Sequence, residues 1–279
     1  MNTLKNKNII ITGFTGGIGS AICKLVKENG AKTFGICRNS QPGGVDDKKT
    51  DYYLNHDLSN PLPVETIKAI ISKFKRIDYL IHSAGILIPT EFSELKESEI
   101  QSLINANLLS TIYIIKAVLP VMKLQGGGHI IVIGSLGGII PMPYEAVYAA
   151  AKFGVRGLCL SLVEELKAAG IKISLISPGS VKTQMLDTES SNKNSIISFI
   201  QKPFNPEYIA EEILKVIHHP KTEVIIPKFS SVLSILFNYS PALFYKVFAL
   251  MKQLGKRRLS QYASKYLYRK DISAKAVRG

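Results

Sequence analysis

Asn8-Ile9-Ile10-Ile11-Thr12 runs straight into Gly13-Phe14-Thr15-Gly16-Gly17-Ile18-Gly19. Successive isoleucines make a strand apolar on both faces, the pattern of a strand covered from both sides. The glycines then mark a sharp turn. From Ile18 apolar residues recur at helical spacing as far as Asn29, with Gly30 placed where helices commonly stop. Strand, glycine turn and helix in that order open a parallel α/β sheet. Glycines let the backbone come close to a ligand, and the N–H groups at the helix start favour a phosphate there. The spacing is GxxxGxG rather than GxGxxG, and a tight connection without a ligand looks the same in isolation.

The alternation continues along the chain. Strand-like runs at 8–12, 32–37, 51–54, 77–82, 128–134, 171–176 and 222–227 are separated by helix-like segments at 18–29, 61–75, 98–124, 146–169 and 206–218. This order predicts an α/β fold, a doubly wound Rossmann-type sheet of seven parallel strands with helices on both faces and ligands at the carboxyl ends of the strands. With 279 residues, 46% of them hydrophobic, one large core is within reach, and residues 1–227 read as a single domain. The polar stretch 184–204, including Thr188-Glu189-Ser190-Ser191-Asn192-Lys193-Asn194-Ser195, reads as a mobile loop ordered by ligand.

Charge is distributed unevenly. The net charge is +14, yet residues 220–279 alone hold 12 Lys/Arg against Glu223 and Asp271. Before the basic segment, Phe229–Tyr245 is a run of 17 residues without a charge, interrupted by Pro241. That is short of the roughly 20 apolar residues of a membrane span. The basic part that follows repeats Leu259, Tyr262, Ala263 and Tyr266 at helical intervals. Residues 228–279 therefore read as a C-terminal extension with a basic amphipathic helix, suited to an anionic membrane surface, to covering a site, or to an oligomer contact. No nucleic-acid reading module accompanies the charge, so nucleic acid is not expected as a partner. Cys23, Cys37 and Cys159 have no CxxC spacing, and neither disulfides nor a metal site is expected. The opening Met1–Lys7 lacks a signal-type apolar core, which points to the cytoplasm, with the inner face of a membrane as the place the extension would reach.

The chemistry is carried by Tyr148-Ala149-Ala150-Ala151-Lys152. A tyrosine and a lysine four apart share one face of a helix, where the ammonium favours a phenolate and makes the phenol a usable acid/base. The pair Tyr266/Lys270 has the same spacing, so what distinguishes the first is its company: the glycine turn and Ser135 upstream. At the end of the second strand an NAD-selective site carries an acid for the ribose 2′-OH. Here Cys37-Arg38 stands in that place, with no carboxylate between Lys32 and Val45. An arginine suits a 2′-phosphate, and NADP(H) is expected over NAD(H), unless Arg38 is only a solvated loop charge.

With Thr12–Gly19, Ser135, Tyr148 and Lys152 in this order, the chain resembles the short-chain dehydrogenase/reductase family over about residues 5–227. The resemblance implies hydride transfer between a nicotinamide and a carbonyl or carbinol carbon, with catalytic Asn107, Ser135, Tyr148 and Lys152. It also implies a cofactor site of Gly13, Thr15, Gly17, Ile18, Gly19, Arg38, Asp57, Leu58, Ala84, Gly85, Tyr148, Lys152, Pro178, Gly179, Val181 and Thr183. Family members usually read Asn-Asn-Ala-Gly where this chain has His82-Ser83-Ala84-Gly85. His82 is read as a packed residue without a catalytic role, and Tyr144 as a lining residue of the substrate pocket. The family also commonly forms homodimers or homotetramers. Together with the apolar extension, the resemblance points to an NADP(H)-dependent oxidoreductase interconverting a ketone and a secondary alcohol on a hydrophobic, lipid-like small molecule. The alternative is a cofactor-binding membrane or protein adaptor whose chemistry is vestigial.

Overall fold

A computed structural model describes residues 3–38, 49–229, 236–237 and 240–276. Seven strands, β1 (Asn8–Thr12), β2 (Lys32–Cys37), β3 (Tyr52–Asn55), β4 (Tyr79–His82), β5 (Gly128–Ile133), β6 (Ile171–Pro178) and β7 (Glu223–Ile226), form one sheet. The order across it is β3-β2-β1-β4-β5-β6-β7, and every pairing is parallel. Strand order reverses direction between β1 and β4, which opens a crevice at their carboxyl ends.

The helices are α1 (Gly17–Glu28), α2 (Val64–Phe74), α3 (Glu97–Ile104), α4 (Ser110–Leu124), α5 (Ala146–Lys167), α6 (Gln184–Ser190), α7 (Pro206–His218) and α8 (Pro241–Ala276). They divide the core into two layers. On one face Ile10, Leu80, Ile130 and Val132 of the sheet meet Ile70 of α2, Ile114 and Val118 of α4 and Val155 of α5. On the other, Ile9, Ile11, Ile81 and Ile131 meet Ile22 and Val26 of α1 and Ile209 and Ile213 of α7. This alternation along each strand is why both faces read as apolar. Arg156 of α5 and Glu223 of β7 join their two elements through paired hydrogen bonds of 2.8 and 3.0 Å. The segments long and apolar enough to cross a bilayer among the described residues are 97–124 and 146–167, and α4 and α5 within them cover the sheet.

Several boundaries differ from the sequence pattern for local reasons. The run at 77–82 bonds to its neighbours from Asp78, through Asn8 and His129, while the side chain of Gln125 takes both backbone groups of Ile77, at 3.1 and 2.5 Å. The helix expected over 61–75 begins after Pro63 and closes at Lys75, which has φ 62°. The single helix expected over 98–124 is divided by a π-helical turn at Asn105–Leu109. The stretch 184–204, expected as an irregular loop, contains α6 and a 3-10 turn at Ile197–Phe199. Leu186, Ile196 and Phe199 pack there against Leu259 of α8, with Tyr262 beside them. The polar residues that suggested a loop lie between these four apolar anchors. Within the uncharged run, 230–235 and 238–239 lie outside the described residues, as does the side chain of Tyr266.

Candidate active site

The turn after β1 forms the floor of a groove. Gly13 has φ 66°, and a Cβ there would come within 2.8 Å of the Ala84 backbone across the sheet. A side chain at Gly19 would meet the carbonyl of Gly13, so this helix start can lie against the turn only as glycine. The Thr12 hydroxyl holds β1 and β4 together: it accepts from the N–H groups of Ser83 (3.2 Å) and Ala84 (3.3 Å) and shares a hydrogen bond of 2.7 Å with Nδ1 of His82. The Nε2 of the same ring faces the Ser110 oxygen at 3.4 Å. His82 is a packed residue, 1% exposed, and burial, followed by the nearby Lys152 charge, pushes its pKa down to about 3. It fills the place between Thr12 and Ser110, so its replacement of the usual asparagine leaves no gap.

The groove runs past Thr15, Gly17, Ile18 and Gly19 to Cys37, Arg38, Asp57 and Leu58. The Asp57 carboxylate accepts from the N–H of Ser59 at 2.9 Å. This bond lowers its pKa against the opposing effect of burial, and the neighbouring Arg38 charge lowers it further. Arg38 and Asp57 therefore sit together at the outer end of the groove.

At its inner end the groove opens, through Ile18, Ser83, Ala84, Gly85, Thr183 and Met185, into a second cavity. Ser135, just after β5, accepts from the N–H of Gly137 at 3.0 Å. Tyr148, in the first turn of α5, lines the cavity beside Ser135. Lys152, one turn further, is 6% exposed; its ammonium donates to the Ile133 carbonyl at 3.1 Å and lies 5.8 Å from the centre of the Tyr148 ring. Burial lowers the Lys152 pKa to about 8. The Tyr148 phenol moves up rather than down as the spacing suggested: burial dominates, the nearby Ser135 hydroxyl opposes it, and the carboxyls of Glu189 and Glu145 raise it further. Helical spacing fixes proximity but not dielectric, which here is set by the closed cavity.

Asn107 sits fully buried in the π turn. Its side-chain N–H groups donate to the carbonyls of Ile86 and Leu103, each at 2.9 Å, and its Oδ1 accepts from the N–H of Ile86 at 3.2 Å. It thereby pins the loop after β4. Gly85 is pressed between Asn107 and Lys152; a Cβ there would lie 2.7 Å from Asn107 Oδ1 and 3.7 Å from the lysine nitrogen. On the far side Pro178, Gly179, Val181 and Thr183 follow β6 into the cavity, and the Thr183 side chain closes against Gly17.

The site residues expected from the sequence line the groove or the cavity, apart from Asn107, which is buried behind Gly85 and reaches neither. Tyr144, expected in the substrate pocket, does not line it; with φ 69° its ring faces a shallow depression with Ile88, Phe92 and Leu95. Among the residues that do line it and were missed are Leu136, Met142, Glu145, Met185, Glu189 and Gln201. Glu145 stands three before Tyr148, a spacing that shares its helix face, and was visible in the sequence on that ground.

A nicotinamide dinucleotide fits this groove: its floor is bare backbone where a Cβ would collide, the start of α1 offers unpaired N–H groups, and an arginine stands at its outer end. A buried tyrosine stands beside a serine and a lysine at the inner end, and fold and site together define a nicotinamide-dependent oxidoreductase. Residues 7–194 match the profile of the short chain dehydrogenase family, and the chain belongs to that family, whose members act on CH–OH groups with NAD(P). An uncharacterized oxidoreductase of Staphylococcus saprophyticus is 34% identical over 235 residues, covering 79% of this chain and 94% of the relative. One from Staphylococcus aureus is 31% identical over 225 residues, covering 79% and 94%. Among solved structures, levodione reductase superimposes with a TM-score of 0.72 at 24% identity, covering 80% of this chain and 96% of that one. A short-chain dehydrogenase from Streptomyces avermitilis gives 0.71 at 18% identity, covering 88% and 98%. Both share the fold.

Proposed function

We propose that this chain interconverts a ketone and a secondary alcohol on a small molecule with a hydrophobic body, using NADP(H) in preference to NAD(H). The observation that carries the reading is the continuity between the Arg38 groove and a cavity whose wall includes Leu136, Ile140, Met142, Met185, Leu186 and Ile197 around Ser135 and Tyr148. The bound cofactor supplies or accepts the hydride. Ser135 hydrogen-bonds the substrate oxygen, and Tyr148 gives that oxygen a proton in reduction or removes one in oxidation. Lys152 holds positive charge beside the phenol as its proton leaves and contacts the nicotinamide ribose, and Asn107 links Lys152 through water to solvent. The Gly13–Gly19 turn with Thr15 takes the pyrophosphate, Asp57 and Leu58 the adenine, Arg38 the 2′-phosphate, Ala84 and Gly85 the cofactor's backbone side, and Pro178, Gly179, Val181 and Thr183 the carboxamide.

The test is consumption of NADPH, with NADH in parallel, over ketones of increasing chain length, for the wild type and Tyr148→Phe. Turnover that favours NADPH, rises with chain length and disappears in the variant is the expected result. NADPH binding without turnover on any ketone would favour the adaptor reading. That reading rests on the loss of asparagines at 82 and 83 together with the unusual C-terminal extension, and the tight seat of His82 weighs against the first of these grounds.

The extension, residues 228–279, is proposed to cover the substrate segment with one face and to meet an anionic membrane surface with the other. Leu243, Leu250 and Leu254 are exposed, Leu250 by 83%, near exposed Lys246, Lys252, Lys256 and Arg257. Co-sedimentation with phosphatidylserine vesicles, lost in high salt, is the expected behaviour. A homodimer or homotetramer, as in other family members, is checked by light scattering.

A further inference from the structure

The substrate cavity and α8 share one layer of chain between them. Ile197 and Gln201 line the cavity, while Ile196 and Ile200, next to them in sequence, meet α8. Leu186 does both, lining the cavity and packing in one cluster with Leu259. The Tyr262 hydroxyl donates to the Asp187 carboxylate, Arg258 donates to the Ile200 carbonyl, and the Phe199 ring lies 5.4 Å from that of Tyr262. At Gly255 the helix comes so near that a Cβ would stand 2.9 Å from the Ile196 carbonyl oxygen. Glycine weakens a helix interior, and here its bare backbone is what lets α8 lie on the wall. Any displacement of α8 therefore reaches the cavity directly.

Gly255, Leu259 and Tyr262 share one face of α8, the docked one. At about 100° per residue, Lys246, Leu250 and Arg257 lie half a turn round from it, and all three are exposed. A leucine between two cations suits the boundary of an anionic bilayer, where headgroups meet the charges and the leucine enters the acyl layer. The two faces do not compete. Turning Leu259 and Tyr262 to the bilayer instead would point Lys246 and Arg257 away from the headgroups, so the surface favours α8 in its docked orientation. A partner that prefers one state of a two-state element shifts it toward that state, and the effect is reciprocal between ligands.

We infer that an anionic bilayer seated on the Lys246, Leu250 and Arg257 face clamps α8 onto the α6 wall, so that membrane contact and substrate binding reinforce each other. The inference rests on the readings of the cavity as the substrate site and of the extension as a membrane-facing helix. Its size is limited by the fraction of α8 already docked in solution. The wild type therefore gains little, and a variant with a loosened strap gains most.

The test compares the wild type with Tyr262→Phe, each without lipid, with phosphatidylcholine vesicles and with phosphatidylserine vesicles, at saturating NADPH. The ketone is the shortest that the enzyme turns over, which keeps its partitioning into lipid small. Without lipid, Tyr262→Phe is expected to raise the ketone KM up to about fivefold, the scale of one hydrogen bond. Phosphatidylserine should bring it back to within about twofold of the wild type, and phosphatidylcholine should not. Proteolytic cleavage within 184–204, which needs no substrate, should slow in step. Adding Lys246→Glu and Arg257→Glu to Tyr262→Phe should abolish both restorations. If phosphatidylserine vesicles bind but leave KM and cleavage unchanged, or raise them, the inference is overturned while the membrane and substrate readings stand. Restoration that survives the charge reversals, or an unchanged KM in Tyr262→Phe and in Arg258→Ala alike, overturns it too. Absence of vesicle binding would remove the membrane reading and the inference together, and failure of every ketone to react would do the same for the substrate reading.

Discussion

The two walls of the cavity are supported in different ways. Ser135 follows β5, a strand paired on both sides in the sheet, and Tyr148 and Lys152 stand on α5, whose Val155, Cys159 and Leu166 are seated in the apolar core. The opposite wall, α6 with the Ile197–Phe199 turn, leans on α8, through Leu259 at 4% exposure, the Tyr262 hydroxyl donating to Asp187 at 2.9 Å, and Arg258 donating to the Ile200 carbonyl. The groups proposed for proton transfer thus share the stability of the whole domain, whereas the wall proposed to select the substrate depends on a few side chains from the extension. Local stability need not be uniform in a fold, and binding segments are commonly drawn from its weaker parts.

Substitutions on the two walls separate these roles. Tyr148→Phe should lower turnover by roughly two orders of magnitude or more, the scale of a lost general acid, with the NADPH dissociation constant retained; a near-normal rate on a true substrate would break the assignment of the rigid wall. Within the sheet, His82 is held neutral, its folded pKa of about 3 lying below the ordinary 6.5. The unfolded chain therefore binds the extra proton first, and stability falls as pH drops from 6.5 towards 3. The slope is up to about 1.4 kcal/mol per pH unit. His82→Asn should flatten that slope in thermal denaturation series; an unchanged slope would mean that the imidazole is not held neutral. Arg38→Ala should raise the KM for NADPH about tenfold, the value of a charge-assisted bond, and leave the KM for NADH nearly constant. On the wall carried by α8, Tyr262→Phe should cost only about 1 kcal/mol of local stability. The readouts are a few-fold rise in substrate KM and faster proteolysis within 184–204, with kcat and the melting temperature of the domain nearly constant. A parallel loss of kcat would join the two walls into one unit.

The same division explains what was legible in the sequence. The strand–glycine–helix opening and the Tyr148/Lys152 pair declare themselves through local spacing, because a few residues suffice to define a turn or a helix face. The doubly wound sheet of seven parallel strands followed from the alternation of short apolar runs with helical ones. The α6 wall was hidden, since its apolar anchors are completed by partners far along the chain, Tyr262 lying 75 residues from Asp187. The π turn was equally silent, as Asn105-Ala106-Asn107-Leu108-Leu109 fits an uninterrupted helix. The upward shift of Tyr148 required knowing that the cavity closes around it with Glu145 and Glu189, which spacing alone does not encode.

The widened turn at Asn105–Leu109 also makes one part of the site separable from the scaffold. A π turn holds about one residue more than a regular α turn, so the extra residue is absorbed locally and the winding beyond it keeps its phase. Losing one residue there and restoring regular winding would leave Ile114, Val118 and Met122, all fully buried on the sheet, in the core, while Asn107 would lose the placement from which it bonds to Ile86. A single deletion can therefore discard the asparagine's position and spare the scaffold, which makes the turn a local edit to a helix whose packing does not depend on it.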